Sequence, residues 1–249
     1  LKKDFIVTRP WSCKLSIIVP VRQGEQDWQE LVRTLFQMPR DWELIMAASE
    51  PLSERDQRLL RMLSEHMTVR WLVGPSGRAQ QLNHGAAMAR GRFLWFIHAD
   101  TRLNAKHGQT LQRNLNRLAD GWTLGYFDLA FDTSLLSPMR LNALGANLRS
   151  RVLGLPFGDQ GFCLTKALFE HLGGFSEDAS YGEDHLFVWR AKQHGVRLRR
   201  LPTKLSTSPR KYRQQGWLTT TSEHVYLTVR QALPELWKLV KARVGQGGV

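Results

Sequence analysis

The sequence predicts an α/β fold of three layers, with a mostly parallel central sheet covered by helices on both faces. Two observations carry this. In the first hundred residues, short apolar runs rich in β-branched and aromatic residues alternate with stretches of helical periodicity. Each run is long enough for a buried strand and too short for a helix, and such an alternation needs the crossovers of a parallel sheet.

The elements follow in order. Leu15–Val21 is the first strand, and Trp28, Leu31, Val32 and Leu35 mark one face of a helix over Asp27–Phe36 that Pro39 ends. A strand at Trp42–Ala47 precedes a helix at Glu54–His66 opened by Ser53 as N-cap, and Val69–Val73 is the third strand. A helix at Ala79–Arg90 leads through Gly91 into a strand at Arg92–Ile97. In such sheets ligands bind beyond the carboxyl ends of the strands, here the turns after Val19, Ala47, Val73 and Ile97.

The second half reads differently. Gly125–Asp132 alternates, with Phe127, Leu129 and Phe131 on one side, as in an edge or antiparallel strand. Ser134–Leu155 reads as helix and then loop, ending in the turn-rich Pro156–Gly161. A strand at Phe162–Leu164, a helix at Lys166–Leu172 stopped by Gly173-Gly174, a helix from Tyr181 to about His194 and a strand at Val196–Leu201 complete the pattern. The domain expected over 1–216 is followed by a basic amphipathic appendage over 217–249. There Pro234 serves as first helical residue, and Leu236, Leu239 and Val240 share a face near Lys238, Lys241 and Arg243.

Composition narrows the class. With 249 residues, 42% hydrophobic and 23% charged, the chain is neither disordered nor fibrous. Its two cysteines, Cys13 and Cys163, form no CxxC pair, so no disulfide framework or zinc ribbon is expected, and a reducing, cytoplasmic setting is. No apolar run approaches the ~20 residues of a membrane span, and no signal-peptide pattern opens the sequence. Charge is lopsided: the net is +13, and from Arg190 to Val249 there are 13 Lys or Arg against Glu223 and Glu235, a local net of +11. Such a block is either a solvated face or a surface for phosphate-bearing partners: nucleic acid, anionic lipid or a phosphorylated substrate.

Three constellations can carry chemistry. His98-Ala-Asp100 follows a strand, where one carboxylate can hold Mg²⁺ or Mn²⁺ while a substrate diphosphate completes the shell; an Asp there also serves as a helix N-cap. Glu183-Asp184 opens a helix, either as a favourable dipole pair or with a carboxylate able to take a proton from a hydroxyl. The third, Gly77–Gly85, is a glycine-opened helix presenting Arg78, Gln81 and Asn83; its N-terminus can meet an anion and Asn83 a sugar or nucleotide, or it is an ordinary crossover helix. It is neither a Walker loop nor GxGxxG.

In fixed order the chain carries Leu-Ser-Ile-Ile-Val-Pro-Val21, Gly77-Arg-Ala…Asn83-x-Gly-Ala-x-x-Ala-x-Gly91, Phe-Ile-His-Ala-Asp-Thr101, Gly158-Asp-Gln-Gly161, Gly173-Gly-Phe175 and Glu183-Asp184. Together, over roughly residues 14–213, these resemble family 2 glycosyltransferases, inverting nucleotide-sugar enzymes of the GT-A fold with a Rossmann-like sheet. The likeness is to the bacterial subset with His-Ala-Asp in place of Asp-x-Asp. The resemblance implies Asp100 as metal ligand and Asp184 as catalytic base. It implies donor contacts from Pro20, Ser49, Arg78, Asn83 and His98, and Asp159, Gln160 and Glu183 on the acceptor side. Arg210, Lys211 and Arg213 would supplement the metal at the diphosphate, from a flexible loop beginning in the aperiodic Ser206–Pro209. The second strand ends Ala47-Ala-Ser49, where this family commonly has an Asp for the nucleobase.

The expected activity is metal-assisted transfer, of hexosyltransferase type and with inversion, from a UDP- or GDP-linked sugar to a sugar or lipid-linked acceptor. The basic appendage either packs on the domain or on a second subunit, or lies on an anionic membrane surface, which would make the enzyme peripheral at the inner face of the membrane. Competing readings are a noncatalytic GT-A scaffold, a nucleotidyltransferase, for which Val21-Arg-Gln-Gly24 is a poor loop, and a basic nucleic-acid-binding protein, for which no RNA-binding or helix-turn-helix signature is present, so no nucleic acid is expected.

Overall fold

The computed structural model describes residues 4–7, 13–131, 139–179, 181–207 and 230–237. The parallel half assembles from β2 (Leu15–Val21), α1 (Trp28–Leu35), β3 (Trp42–Ala48), α2 (Glu54–Ser64), β4 (Thr68–Val73), α3 (Arg78–Met88) and β5 (Phe93–Phe96), after a short β1 (Phe5–Val7). Then come β6 (Thr101–Arg102), α4 (Ala105–Leu118), β7 (Thr123–Phe131), α5 (Met139–Leu148) with a π-helical turn at Arg149–Leu153, and a 3₁₀ turn at Gly158–Gln160. Finally β8 (Phe162–Thr165), α6 (Lys166–His171), α7 (Glu183–Gln193) and β9 (Arg197–Thr207) close the sheet.

The sheet runs β1-β4-β3-β2-β5-β8-β7-β9-β6. Strands β4, β3, β2 and β5 are mutually parallel; β8 reverses, and β7 and β9 return to the first direction. The sheet is therefore mostly parallel. Residues alternate along each strand between two cores. Ile17, Val19, Leu44 and Trp95 pack beneath α1, α2 and α4, while Ile18, Ile45, Leu94 and Phe96 pack beneath α3, α6 and α7. These are the three layers.

Local chemistry fixes the joins. Ser53 caps α2 by accepting the Asp56 N–H at 3.2 Å. Gly91 lies so close to β2 that an added Cβ would stand 2.6 Å from the Ser16 nitrogen, so only glycine fits there. Cys13 and Cys163 are both free thiols.

Strand β7, expected as an edge or antiparallel strand, lies in the interior, antiparallel to β8 and parallel to β9. The structure departs from the sequence expectations at three places. Helix α4 was not expected, although Asn104 caps it, accepting the Lys106 N–H at 3.1 Å, and Leu111, Leu115 and Leu118 are buried along one face. Strand β9 runs on to Thr207, so Ser206 and Thr207 belong to the sheet, held there by pairing with β6 and β7. The helix that includes Pro234 spans residues 230–237, so Pro234 lies within it instead of opening it. That helix is tied to α7: Gln193 donates to a Glu235 carboxylate oxygen at 2.9 Å, and Ala232 packs against the second core. Among the described residues no helix is long and apolar enough to cross a membrane.

Candidate active site

The carboxyl ends of β2 to β5 open onto one crevice, and β8, antiparallel to β5, begins at the same edge because Phe96 faces Phe162. Three elements converge there: the turn after β5, the N-terminus of α3, and the N-terminus of α7. The turn is closed by reciprocal bonds, the His98 N–H to the Thr101 hydroxyl at 3.1 Å and the Thr101 N–H to the His98 carbonyl at 3.1 Å. Gly182, at φ 67° in the left-handed region, turns the chain into α7 and leaves Glu183 and Asp184 in its first turn.

Arg78 is the cation at the centre. Its Nε lies 3.0 Å from Glu183 Oε1 and its Nη2 3.8 Å from Asp184 Oδ2, and its guanidinium hydrogen-bonds the His98 Nε2. The Gly158 N–H donates to Asp184 Oδ2 at 2.6 Å, and the His185 N–H to Oδ1 at 2.9 Å. A Cβ on Gly158 would lie 2.7 Å from Arg78 Nη2 and 2.8 Å from Asp184 Oδ2, so the glycine is what lets the backbone reach the carboxylate.

This setting sorts the charges. Burial pushes the Asp184 carboxyl upward, but Arg78 and the two N–H donors outweigh it and hold the group below the ordinary Asp range. Burial raises Glu183 despite Arg78. Burial first, then Arg78, pushes His98 down to about 3, so its ring is neutral near pH 7 and accepts from Arg78. Asp100 is raised by burial and by the acids Asp27 and Glu25, against the opposing Thr207 hydroxyl that donates to it.

Asp159 faces the same crevice, within electrostatic reach of Arg149, Asp184, Arg78 and Asp100. Burial raises it from 3.8 to about 6, and its Oδ1 has no hydrogen-bond partner among the described residues. A carboxyl whose folded pKa is raised binds protons more tightly when folded, so it costs stability as pH rises from about 4 to 6 and nothing below that window. We expect Asp159→Asn to be more stable than wild type by about 1–3 kcal/mol at pH 8, the gain vanishing at pH 4. Thermal unfolding at the two pH values checks this.

Two expected donor or acceptor contacts are engaged elsewhere. Asn83 donates to the Phe175 carbonyl at 2.9 Å and to Glu177 Oε1 at 2.8 Å, and accepts the Phe175 N–H at 2.9 Å. It staples the Gly173–Glu177 loop to α3. Gln160 is fully buried, accepts from the Ser150 hydroxyl at 2.6 Å and the Phe157 N–H at 3.1 Å, and donates to the Phe127 carbonyl at 2.9 Å. It pins the turn that presents Gly158. Pro20 and Ser49 stand half-buried at the ends of β2 and β3. Arg210, Lys211 and Arg213 lie outside the described residues.

Sequence reasoning missed Arg22, which follows β2 and acts electrostatically on His98, and Thr207, which holds Asp100 from the end of β9. Arg22 had a signal, since it sits in a turn at the carboxyl edge; Thr207 had none, because only the β6–β9 pairing brings it there.

Among the described residues no three His, Cys, Asp or Glu side chains gather as a metal cage. Asp100 instead offers a single carboxylate, a hard oxygen donor, in a neighbourhood made negative by Asp27 and Glu25. That donor set fits Mg²⁺ or Mn²⁺, which dehydrate reluctantly and are commonly held by one or two carboxylates plus substrate phosphates.

In open α/β sheets a crevice at the carboxyl edge is where ligands bind. The sequence profile described as glycosyl transferase family 2 matches residues 16–170, and the chain belongs to that family. No curated protein matches it. Among solved structures it is similar to S. aureus TarS 1-349, at 17% identity and TM-score 0.61, over 79% of this chain and 61% of that one. The same TarS fragment in complex with UDP-GlcNAc matches at 16% identity and TM-score 0.61, over 78% of this chain and 58% of that one. Mannosyltransferase PcManGT from Pyrobaculum calidifontis, in complex with GDP-Man and Mn²⁺, matches at 18% identity and TM-score 0.65, over 94% of this chain and 72% of that one. These likenesses establish the GT-A fold. The chain spans about three fifths of the length of the TarS 1-349 structures.

Proposed function

We propose that the chain is an inverting glycosyltransferase of hexosyltransferase type, moving a sugar from a UDP- or GDP-linked donor to an acceptor hydroxyl. The observation that carries this is Asp184, a carboxylate kept ionised by Arg78 and the Gly158 N–H in a crevice that also holds Asp100. One base and one displacement give inversion. Asp184 takes the acceptor hydroxyl's proton, the acceptor oxygen bonds to the anomeric carbon from one side, and the bond to the diphosphate oxygen breaks on the other. Arg78 faces the departing diphosphate, and the neutral ring of His98 orients its guanidinium. Glu183 and Asp159 stand on the acceptor side. Asp100 would hold Mn²⁺ or Mg²⁺, which would supply positive charge for the leaving group.

The family membership and the donors named with the TarS and PcManGT structures support this reading. Residues 1–216 form the catalytic domain and 217–249 an appendage in the same proposal. Arg210, Lys211 and Arg213 follow Thr207, the donor to Asp100, and add cations for the diphosphate. The acceptor is a sugar or lipid-linked hydroxyl, and the enzyme works in the cytoplasm, peripherally on the membrane.

Calorimetric titration with UDP, GDP, UDP-GlcNAc and GDP-mannose, with and without Mn²⁺, tests the proposal. One nucleotide series binds, more tightly with Mn²⁺; failure of all four to bind overturns it.

A further inference from the structure

The first turn of α7 carries Glu183 and Asp184, but its N-cap is Gly182, which has no side chain to cap it. A hold on this turn comes from 46 residues beyond His185. Gln231, in the 230–237 helix, spans the turn with one amide: its nitrogen donates to the Tyr181 carbonyl at 2.8 Å, and its oxygen pairs with the His185 Nδ1 at 2.9 Å. The two contacts fall on either side of the acids. A Cβ on Gly182 would collide with Gln231 Oε1, so the glycine supplies both the left-handed φ and the room for the amide.

Donor and acceptor chemistry fixes the sense of these bonds. The Trp189 indole N–H only donates, and it lies 2.9 Å from His185 Nε2, so that nitrogen accepts. The proton of the neutral ring is then on Nδ1 and donates to Gln231 Oε1, which turns the amide nitrogen toward the Tyr181 carbonyl. Burial pushes the His185 pKa down, in keeping with a neutral ring. From Trp189 through His185 and Gln231 to Tyr181, no donor meets a donor.

His185 links both N–H groups that hold Asp184. Its own N–H donates to Oδ1 at 2.9 Å, and its ring stands edge-on to Phe157, centroids 5.1 Å apart, beside the Gly158 whose N–H donates to Oδ2 at 2.6 Å. Fixing the His185 ring therefore fixes the backbone groups that aim the carboxylate. We propose that Gln231 is a positioning residue for Asp184, clamping from beyond residue 216 the turn that aims the base. This rests on the glycosyltransferase reading of Asp184, and it makes the C-terminal appendage part of the working site.

The test compares the full chain with Gln231→Met, which keeps the length of the side chain and loses both bonds, and with Gln193→Ala, which frees the same helix from its tie at the other end of α7. Amide hydrogen exchange read at single residues reports the clamp. In Gln231→Met the Gly158 and His185 N–H groups exchange at least about tenfold faster, and in Gln193→Ala they keep the wild-type rate. Turnover reports its purpose. With UDP-GlcNAc or GDP-mannose, whichever binds, and water as acceptor, kcat for nucleoside diphosphate release falls about tenfold or more in Gln231→Met at unchanged calorimetric donor Kd, because a displaced base leaves the donor site whole. Unchanged exchange at both amides overturns the proposal, as does a kcat equal to that of wild type or an equal loss in Gln193→Ala. A loss of kcat matched by a loss of donor affinity makes Gln231 a scaffold of the whole crevice and overturns it too. If wild type binds neither donor while exchange responds as expected, the glycosyltransferase reading falls and the clamp on the turn stands.

Discussion

Asp184→Asn is expected to retain donor binding and to lose transfer by about 10²–10⁴-fold, the contribution of a positioned general base. The substitution removes the charge that pairs with Arg78 and leaves one oxygen to accept from two N–H groups, those of Gly158 and His185. A stability loss of about 1–3 kcal/mol accompanies it, so unfolding is measured beside turnover. Nucleoside diphosphate release at saturating acceptor gives the rate, and calorimetry the donor Kd. Turnover equal to wild type removes Asp184 from the base role. A second readout separates base from scaffold. Arg78 and the N–H donors hold Asp184 below the ordinary range, so the acidic limb of kcat/KM lies below about pH 4. Arg78→Ala withdraws the cation, raises the Asp184 pKa and moves that limb upward. A merely structural Asp184 leaves the limb where it is.

The parallel half of the fold was legible because its strands are buried on both faces and read as apolar runs, as Leu15–Val21 and Phe93–Phe96 do. The second half was harder for physical reasons. Strand β7 alternates like a half-exposed strand, yet its polar Asp128 is 4% exposed because Arg151 and Arg200 pair with it from the helix and strand that cover that side. The partners lie 23 and 72 residues away, beyond any local pattern. Helix α4 hides its stripe of leucines among lysine, histidine, glutamine and asparagine. In the crevice, Arg78, His98, Asp100 and Asp184 were singled out from where charged residues fall after strands and before helices, and the structure brings Arg78, His98 and Asp184 together. The bonds that Asn83 and Gln160 make to the backbone at Phe175 and Phe127 were not legible, because an amide serves a ligand and a backbone equally well.

Asp100→Ala is expected to abolish the part of donor affinity that depends on Mn²⁺, a loss of at least about tenfold, while leaving metal-free nucleotide binding in place. His98 cannot take over the cation, because its Nε2 is engaged with Arg78 and a second ligand in this turn would have to break that bond. Stability tells function from structure here. Burial and the acids Asp27 and Glu25 raise the Asp100 pKa, so its ionised form weakens the fold at neutral pH. Removing it raises the unfolding temperature or leaves it unchanged, and what is lost is the response to Mn²⁺. A variant that keeps the Mn²⁺ effect places the cation elsewhere in the crevice. A variant that unfolds at lower temperature makes Asp100 a structural partner of Thr207, whose hydroxyl it accepts across the β6–β9 pair.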